Sequence, residues 1–335
     1  PFVLGSGAPT GYKCLCTTNL EDILVSGDEN NNPHKYFTTK LYSGTGASQD
    51  IKADSAINPS FGKIDFGPDL IMVKEYGGTG KIQVYDQARG TGKRLETKES
   101  DAEASQSGGV NAFLSNGGTQ GDAGSMNNSG DAYIAWLWDA GSAAATASTE
   151  GGITPTAQWV NNTSGFSITK WTGNNATTTV GHGLSEAPTF ILHKVTGSGG
   201  NWNVFHEDIG SGHRMVLNED QDKDTGYWNS AIPTNTVWSM TGSINENTHS
   251  HVAYSWVPIP GYSKFGLYSG NGLTSGMFVY TGFLPRLIWI KEVGSNEWFI
   301  KDTRIAKYND SSVTLRLNSN DAQFYGAAHA IDIFS

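Results

Sequence analysis

The sequence predicts an all-β protein built from tandem jelly-roll-like β-sandwich modules, with three repeats of which the last is incomplete. Charged residues make up only 16% of the 335-residue chain, against about 25% in typical soluble domains. The 42 glycines suit tight turns and disfavour helices. Aromatic residues make up 11% of the chain and include ten tryptophans, which indicates a buried core rather than a disordered chain.

The second observation behind this fold is a set of strand motifs that recurs three times in the same order. The first motif is an alternating strand followed by a glycine-containing turn, and it covers residues 37–46, 166–174 and 265–272. In the first copy Phe37, Thr39 and Leu41 fall on one face, because strand side chains alternate with a period of two. Each copy therefore predicts a strand and a turn.

The second motif is a short apolar run that follows a proline and precedes a lysine. The runs cover residues 70–73, 190–192 and 287–290, and the lysines are Lys74, Lys194 and Lys291. The runs are too short for helices, and a nearly continuous apolar run indicates a strand that is covered on both faces. We expect each lysine to be the first solvent-exposed position after its strand.

The third motif, a turn that leads into an alternating aromatic strand, occurs only twice, at residues 128–138 and 247–256. The third repeat lacks this closing strand. We therefore expect the natural chain to continue past Ser335, because an incomplete sandwich exposes an unpaired strand edge. The predicted organisation is a connector over residues 1–35, then repeats over 36–158, 159–262 and 263–335, the last one truncated.

Several of these motifs resemble the repeats of phage tail and virion structural proteins, which carry concanavalin/SPRY-like β-sandwich modules and are common in cyanophages and other marine phages. The residues that carry the resemblance are Gly165-Phe-Ser-Ile168, Val180-Gly-His-Gly-Leu184 and Trp202-Asn-Val-Phe-His206. Residues 260–272 and 278–283 resemble the module junctions of the same family. Residues 11–20 resemble the segment after a SPRY or concanavalin-like domain, which implies that the natural chain begins before Pro1.

This resemblance covers nearly the whole chain and implies a β-sandwich component of a virion. The motifs that carry it are structural, so it brings no catalytic residues to transfer. It also leaves open which part of the particle the protein belongs to: tail fibre, capsid fibre, collar or nozzle.

Exposed tryptophans are the candidate glycan-contact residues, because sugars stack on indole rings. Four tryptophans sit beside Gly, Asn or Ser in turn-rich segments: Trp202, Trp228, Trp238 and Trp298. The competing interpretation is that these rings are buried in a sandwich or at a module interface.

Histidines form no strong metal-binding pattern in the sequence. His206 and Asp208 would share one strand face, as would His249 and His251. Two ligands make a weak metal site, so a structural role is favoured for these residues and for the isolated His193. The sequence predicts no metal and no cofactor.

Acidic residues and cysteines also lack a catalytic context. Asp101 with Glu103, and the run at residues 219–224, indicate solvated loops rather than a catalytic pair. Cys14 and Cys16 are two positions apart, which is a poor disulfide geometry on a strand, and we interpret them as small buried apolar residues. A catalytic function has no support in these patterns.

Together these features predict a non-enzymatic bacteriophage structural protein, part of a tail fibre or another surface appendage with a role in host attachment. The predicted partners are other copies of the chain and other virion proteins, and the predicted location is the surface of the phage particle. The alternatives are a module that binds host-surface glycan and a capsid-decorating protein. A polysaccharide depolymerase is a weaker alternative, since it needs two carboxylates about 5 to 9 Å apart.

Two partner classes are disfavoured by charge and hydropathy. The net charge is −10 and no Lys/Arg cluster is present, so a phosphate backbone would repel the chain. No apolar run approaches the roughly 20 residues that a membrane-spanning helix needs. We therefore expect neither nucleic-acid binding nor membrane insertion.

Overall fold

The computed structural model describes residues 35–52, 66–141, 143–273, 276–306, 312–326 and 329–333. The chain divides into two compact units, Pro1–Asn32 and Pro33–Ser335, and all described residues belong to the second unit. Strands hold 38% of the residues and helices 4%, so the predicted all-β class is confirmed. Cys14, Cys16 and the predicted connector up to residue 34 lie outside the described residues. Within those residues, no helix is long and apolar enough to cross a membrane.

The first part of the described chain forms a six-stranded sheet, called the first sheet, and a three-stranded outer sheet. Its strands are β1 (Phe37–Ser43), β2 (Gln49–Lys52), β3 (Leu70–Glu75), β4 (Gln83–Asp86), β5 (Lys93–Glu96), β6 (Ala104–Ser105), β7 (Val110–Leu114), β8 (Gly117–Gln120) and β9 (Ala132–Trp138). The first sheet has the order β1-β9-β3-β4-β5-β6, and the outer sheet has the order β2-β8-β7. One helical turn, Gly124–Asn127, precedes β9.

The middle part forms a seven-stranded sheet, called the second sheet, and a two-stranded outer sheet. Its strands are β10 (Ala157–Asn161), β11 (Phe166–Thr172), β12 (Thr178–Gly181), β13 (Phe190–Val195), β14 (Asn203–His206), β15 (His213–Val216), β16 (Asp224–Thr225), β17 (Val237–Met240) and β18 (Ser250–Trp256). The second sheet has the order β10-β11-β18-β13-β14-β15-β16, and β12 pairs with β17. Short 3-10 turns occur at Glu207–Ile209 and Gly242–Ile244.

The last part forms a four-stranded sheet, called the third sheet. Its strands are β19 (Leu287–Lys291), β20 (Trp298–Asp302), β21 (Val313–Arg316) and β22 (Phe324–Tyr325), in that spatial order. Residues 265–272, for which the sequence predicts a strand, form no strand in the structure.

The three sheets share a common strand order, but the second sheet has one additional edge strand, β10, and the third sheet is shorter at one edge. In the first sheet, β9 lies between β1 and β3, and in the second sheet, β18 lies between β11 and β13. We call β9 and β18 the closing strands. The third sheet starts at β19, and none of its described residues supplies a closing strand.

One face of each sheet contributes to a common core. Leu70 and Met72 of β3, Phe190 and Leu192 of β13, and Ile300 of β20 all belong to this cluster. The opposite faces of β3 and β13 pack under the outer sheets, where Ile71 and Ile191 are fully buried. The first and second sheets are therefore covered on both faces, as the continuous apolar runs of β3 and β13 predict.

Candidate functional site

The four tryptophans proposed as glycan contacts are all buried, with 1 to 3% of each side chain exposed. Trp228 and Trp238 pack edge to face in the core between the second sheet and its outer sheet. Trp202 donates its indole N–H to the Glu96 carbonyl at 3.0 Å, and Trp298 donates to the Val216 carbonyl at 2.9 Å. None of the four offers a ring face for a sugar, and two of them join neighbouring sheets instead.

The recurring lysines are also placed differently from the expectation. Lys74 and Lys194 are fully buried rather than exposed, and Lys291 is partly buried. The ammonium of each lysine reaches a carbonyl of the neighbouring sheet: Lys74 donates to Asn320 at 3.2 Å, Lys194 to Ser100 at 3.2 Å and Lys291 to Gln221 at 3.4 Å. Burial lowers the pKa of both Lys74 and Lys194 to about 8. The prediction of exposure is wrong because a loop from a neighbouring sheet covers each strand end.

Backbone hydrogen bonds link the three sheets in a closed cycle. Three amides donate to carbonyls just beyond the recurring lysines, and the pairs are Glu103 to Thr196 at 2.9 Å, Lys223 to Val293 at 3.0 Å and Gln323 to Tyr76 at 2.7 Å. The first sheet thus contacts the second, the second contacts the third, and the third returns to the first. The three sheets form a closed ring of contacts rather than a linear string.

Buried carboxylates at the ends of β4 and β20 tie the closing strands into this ring. The Tyr254 hydroxyl donates to Asp86 at 2.5 Å, and the Trp136 indole donates to Asp302 at 2.8 Å. Tyr254 and Trp136 occupy the same register position in β18 and β9, because they face Leu192 and Met72 respectively. The corresponding residue at the end of β14 is His206, which receives no such donor among the contacts of the described chain.

The second sheet contains a chain of hydrogen bonds through two buried histidines. Asn203 donates to His193 Nδ1 at 3.1 Å, His193 Nε2 lies 3.1 Å from His251 Nδ1, and His251 Nε2 lies 3.1 Å from the Glu246 carbonyl. One arrangement of protons satisfies all three contacts, with both rings neutral and protonated at Nε2. Burial lowers the pKa of both histidines, most strongly that of His193.

The other sequence candidates form ion pairs with neighbouring side chains. Glu103 lies 3.3 Å from Arg89 and 3.4 Å from Lys93, while His249 pairs with Glu246 at 2.9 Å. His249 and His251 do not converge, since they contact different atoms of Glu246. Within the described ranges, no group of three or more His, Cys, Asp or Glu side chains is placed to hold a metal ion.

The free edge of β19 is the feature that sets the third sheet apart. The residues of β3 and β13 are almost all buried, whereas every residue of β19 is only partly buried. In the first two sheets the amides of Tyr76 and Thr196, two residues past the lysines, donate to the closing strands. Because amide directions alternate along a strand, the amides of Leu287, Trp289 and Lys291 point to the free edge.

Exposed apolar side chains are concentrated in the segment that leads into β19. Ten large hydrophobic residues of the described chain are strongly exposed, and eight of them lie between residues 267 and 284. These eight are Leu267, Tyr268, Leu273, Met277, Phe278, Val279, Tyr280 and Leu284. We call β19 and residues 264–273 and 276–284 the open surface. An apolar patch of this kind, where the rest of the protein is well packed, is typical of an interaction site.

The sequence predicts a third repeat without a closing strand, and among the described residues of the third sheet none forms one. The residues that surround that place were not predicted. The recurrence of a lysine after each apolar run was a signal for a shared contact, although its partner carbonyls carry no side-chain pattern. Asp86, Asp302 and His206 had no signal as a group, because two are aspartates and the third is a histidine that the sequence paired with Asp208 instead.

No curated protein and no solved structure matches the sequence. A family model described as a domain of unknown function, DUF7483, matches residues 32–335. That range contains the three sheets and the open surface, so the chain belongs to the DUF7483 family.

Proposed function

We propose that this chain is a non-enzymatic structural component of a bacteriophage particle, part of a tail fibre or another surface appendage. The observation that carries the proposal is the combination of a closed ring of sheets with one open apolar surface. A rigid unit of this kind suits a load-carrying part of an assembly, and its open surface suits attachment to another polypeptide. The assignment to a phage particle depends on the resemblance of the repeats to phage virion proteins.

The use of polar groups inside the protein supports a structural role. The recurring lysines, Asp86, Asp302 and the two histidines of the second sheet all bond to protein groups in the interior. Buried polar groups that satisfy one another fix a unique packing.

The proposed partners are other copies of the chain and other virion proteins. Eight exposed apolar residues in one segment are difficult to reconcile with a protein that acts alone, because such surface promotes association in water. The burial of the four candidate tryptophans removes the observation that favoured a glycan-binding function.

The proposal is tested on gradient-purified particles of the virus that encodes the chain. We expect mass spectrometry to find the chain at a fixed ratio to the major capsid protein. Immunogold labelling with antibodies against residues 33–335 is expected to mark a tail or another appendage. A chain found in infected cells but missing from purified particles contradicts the proposal, and uniform labelling of the capsid shell supports the capsid-decorating alternative.

A further inference from the structure

We propose that the open surface is a binding site for one antiparallel β-strand with the pattern Val/Ile-Ala-Tyr-x-Trp. The partner is a polypeptide segment of this chemistry that inserts between β19 and residues 265–271. This inference goes beyond the virion assignment and does not depend on it.

The two closing strands define the pattern. β9 ends with Ile134-Ala-Trp-Leu-Trp138, and β18 ends with Val252-Ala-Tyr-Ser-Trp256. Each strand pairs on one side with β3 or β13 and on the other side with β1 or β11. The strand missing beside β19 has neighbours of the same kind, namely β19 itself and the segment that starts at Phe265.

The final tryptophan of the pattern would pack against apolar side chains that are already in position. Trp138 faces Leu70 and packs on Phe37 at 4.9 Å, and Trp256 faces Phe190 and packs on Phe166 at 4.7 Å. Leu287 and Phe265 hold the corresponding positions beside β19. Phe265 already stacks on Phe190 at 5.2 Å, so it lies next to the common core.

His206 determines which side chain is preferred in the inserted strand two positions before the final tryptophan. Each closing strand contacts the preceding sheet of the ring through this position: Tyr254 reaches Asp86, and Trp136 reaches Asp302. A strand beside β19 would reach His206 in the same way. His206 Nδ1 accepts a hydrogen bond from the Asp208 amide at 3.2 Å, so in the neutral ring Nε2 carries the proton and can donate it to an inserted strand.

This donor favours tyrosine over tryptophan. A phenol oxygen accepts a hydrogen bond, whereas an indole N–H only donates. Asp86 and Asp302 are acceptors and therefore take either donor, but His206 is matched only by tyrosine. The pattern of β18, and not that of β9, is the one that fits the open surface.

Backbone and apolar contacts provide the binding energy. The amides of Leu287, Trp289 and Lys291 face the free edge, and strand addition would pair them as β18 pairs with β13. On the outward face, Ile288 and Ile290 hold the positions of Ile71 and Val73, which are fully buried in the first sheet. An inserted strand would cover this edge and give the segment from Phe265 to Asn271 a strand partner.

The test uses the full chain and labelled synthetic peptides in fluorescence anisotropy. A peptide with the sequence of residues 247–258 is expected to bind saturably, and a scrambled peptide is not. Replacing the residue corresponding to Tyr254 with Phe in that peptide should weaken binding about tenfold, the effect of one lost hydrogen bond to a positioned partner. The peptide of residues 129–140, which carries Trp at this position, should bind about as weakly as the Phe variant.

A double-mutant cycle assigns the selectivity to His206. In the His206→Leu chain the native and Phe peptides should bind equally, whereas His206→Gln, which keeps an N–H donor, should restore the preference. Both variants must show the circular dichroism and unfolding midpoint of the parent. Hydrogen exchange with the peptide bound should slow at Leu287, Trp289 and Lys291.

Three results overturn the proposal. The first is the absence of saturable binding of the residue 247–258 peptide. The second is equal binding of the scrambled peptide. The third is a dimer in sedimentation experiments that involves β19 and that the peptide does not dissociate. The occupant of the edge would then be a second copy of the chain. None of these results bears on whether the chain is found in virions.

Discussion

The contact between Tyr254 and Asp86 gives the most direct measure of how strongly neighbouring sheets hold each other. The hydroxyl donates to the carboxylate at 2.5 Å, and both side chains are almost completely buried. The Tyr254→Phe variant removes one oxygen and leaves the ring packing in place. Asp86 keeps its pair with Arg89 at 2.5 Å, so the carboxylate is not left unpaired.

The expected loss follows from the charge of the acceptor. Hydrogen bonds to charged groups contribute about 1.5 to 3 kcal/mol, compared with about 1 kcal/mol for neutral pairs. We therefore expect Tyr254→Phe to lower the free energy of unfolding by about 2 kcal/mol. The control is Tyr85→Phe, because the Tyr85 hydroxyl donates to the neutral Gln83 amide at 2.8 Å within a single sheet. This control should lose about 1 kcal/mol.

Urea unfolding followed by tryptophan fluorescence measures both variants at pH 7. An unchanged m value with a lower midpoint indicates a loss of stability rather than a change in the unfolded state. A Tyr254→Phe loss no larger than that of Tyr85→Phe would refute the reasoning, because the carboxylate would then contribute nothing to the joint between the sheets.

The remaining predictions concern acid stability, the second joint of the ring and the buried lysines. Stability should fall as the pH drops below about 6.5, because the unfolded chain protonates His193 and His251 while the folded chain, with their pKa values lowered, does not. Each histidine adds a slope of up to about 1.4 kcal/mol per pH unit, and His193→Val should reduce the slope measured by urea unfolding between pH 6.5 and 5. Trp298→Ala should lower the free energy of unfolding by about 3 to 5 kcal/mol, because it creates a cavity and leaves the Val216 carbonyl without its hydrogen-bond donor. A loss of stability below about 1 kcal/mol in the same assay would contradict the placement of this ring. Between pH 8 and 10 stability should rise, because Lys194, with a pKa of about 8, releases its proton in the folded chain before the unfolded chain does. Lys194→Met should reduce this rise and leave the part that Lys74 contributes, and an unchanged profile would show that Lys194 is not desolvated.

The sequence was sufficient for the strands whose neighbours come from the same part of the chain. The apolar runs predicted β3 and β13 as strands covered on both faces, and both are buried on both faces. The alternating segment at Phe37 forms β1 for the same reason. The similar segment at Phe265 forms no strand, because strand propensity needs a partner, and none of the described residues supplies one there.

Contacts between the sheets could not be read from the sequence. The acceptors of Lys74, Lys194 and Lys291 are backbone carbonyls in loops. Every residue has a backbone carbonyl, so the sequence does not indicate which one a lysine contacts. The tryptophan segments were misleading for a related reason. Gly, Asn and Ser beside Trp202 and Trp298 indicate turns, but the neighbouring sheet covers those turns and buries the rings.

Residue-resolved hydrogen exchange on the chain alone tests most directly whether the third sheet has an open edge within a closed ring. We predict strong protection for the amides of Met72 and Leu192, which face closing strands, and fast exchange for the matching amide of Trp289. The amides of Ile288 and Ile290 should be protected, because they face β20 in the same strand. Protection of Trp289 as strong as that of Met72 and Leu192 would contradict an open edge.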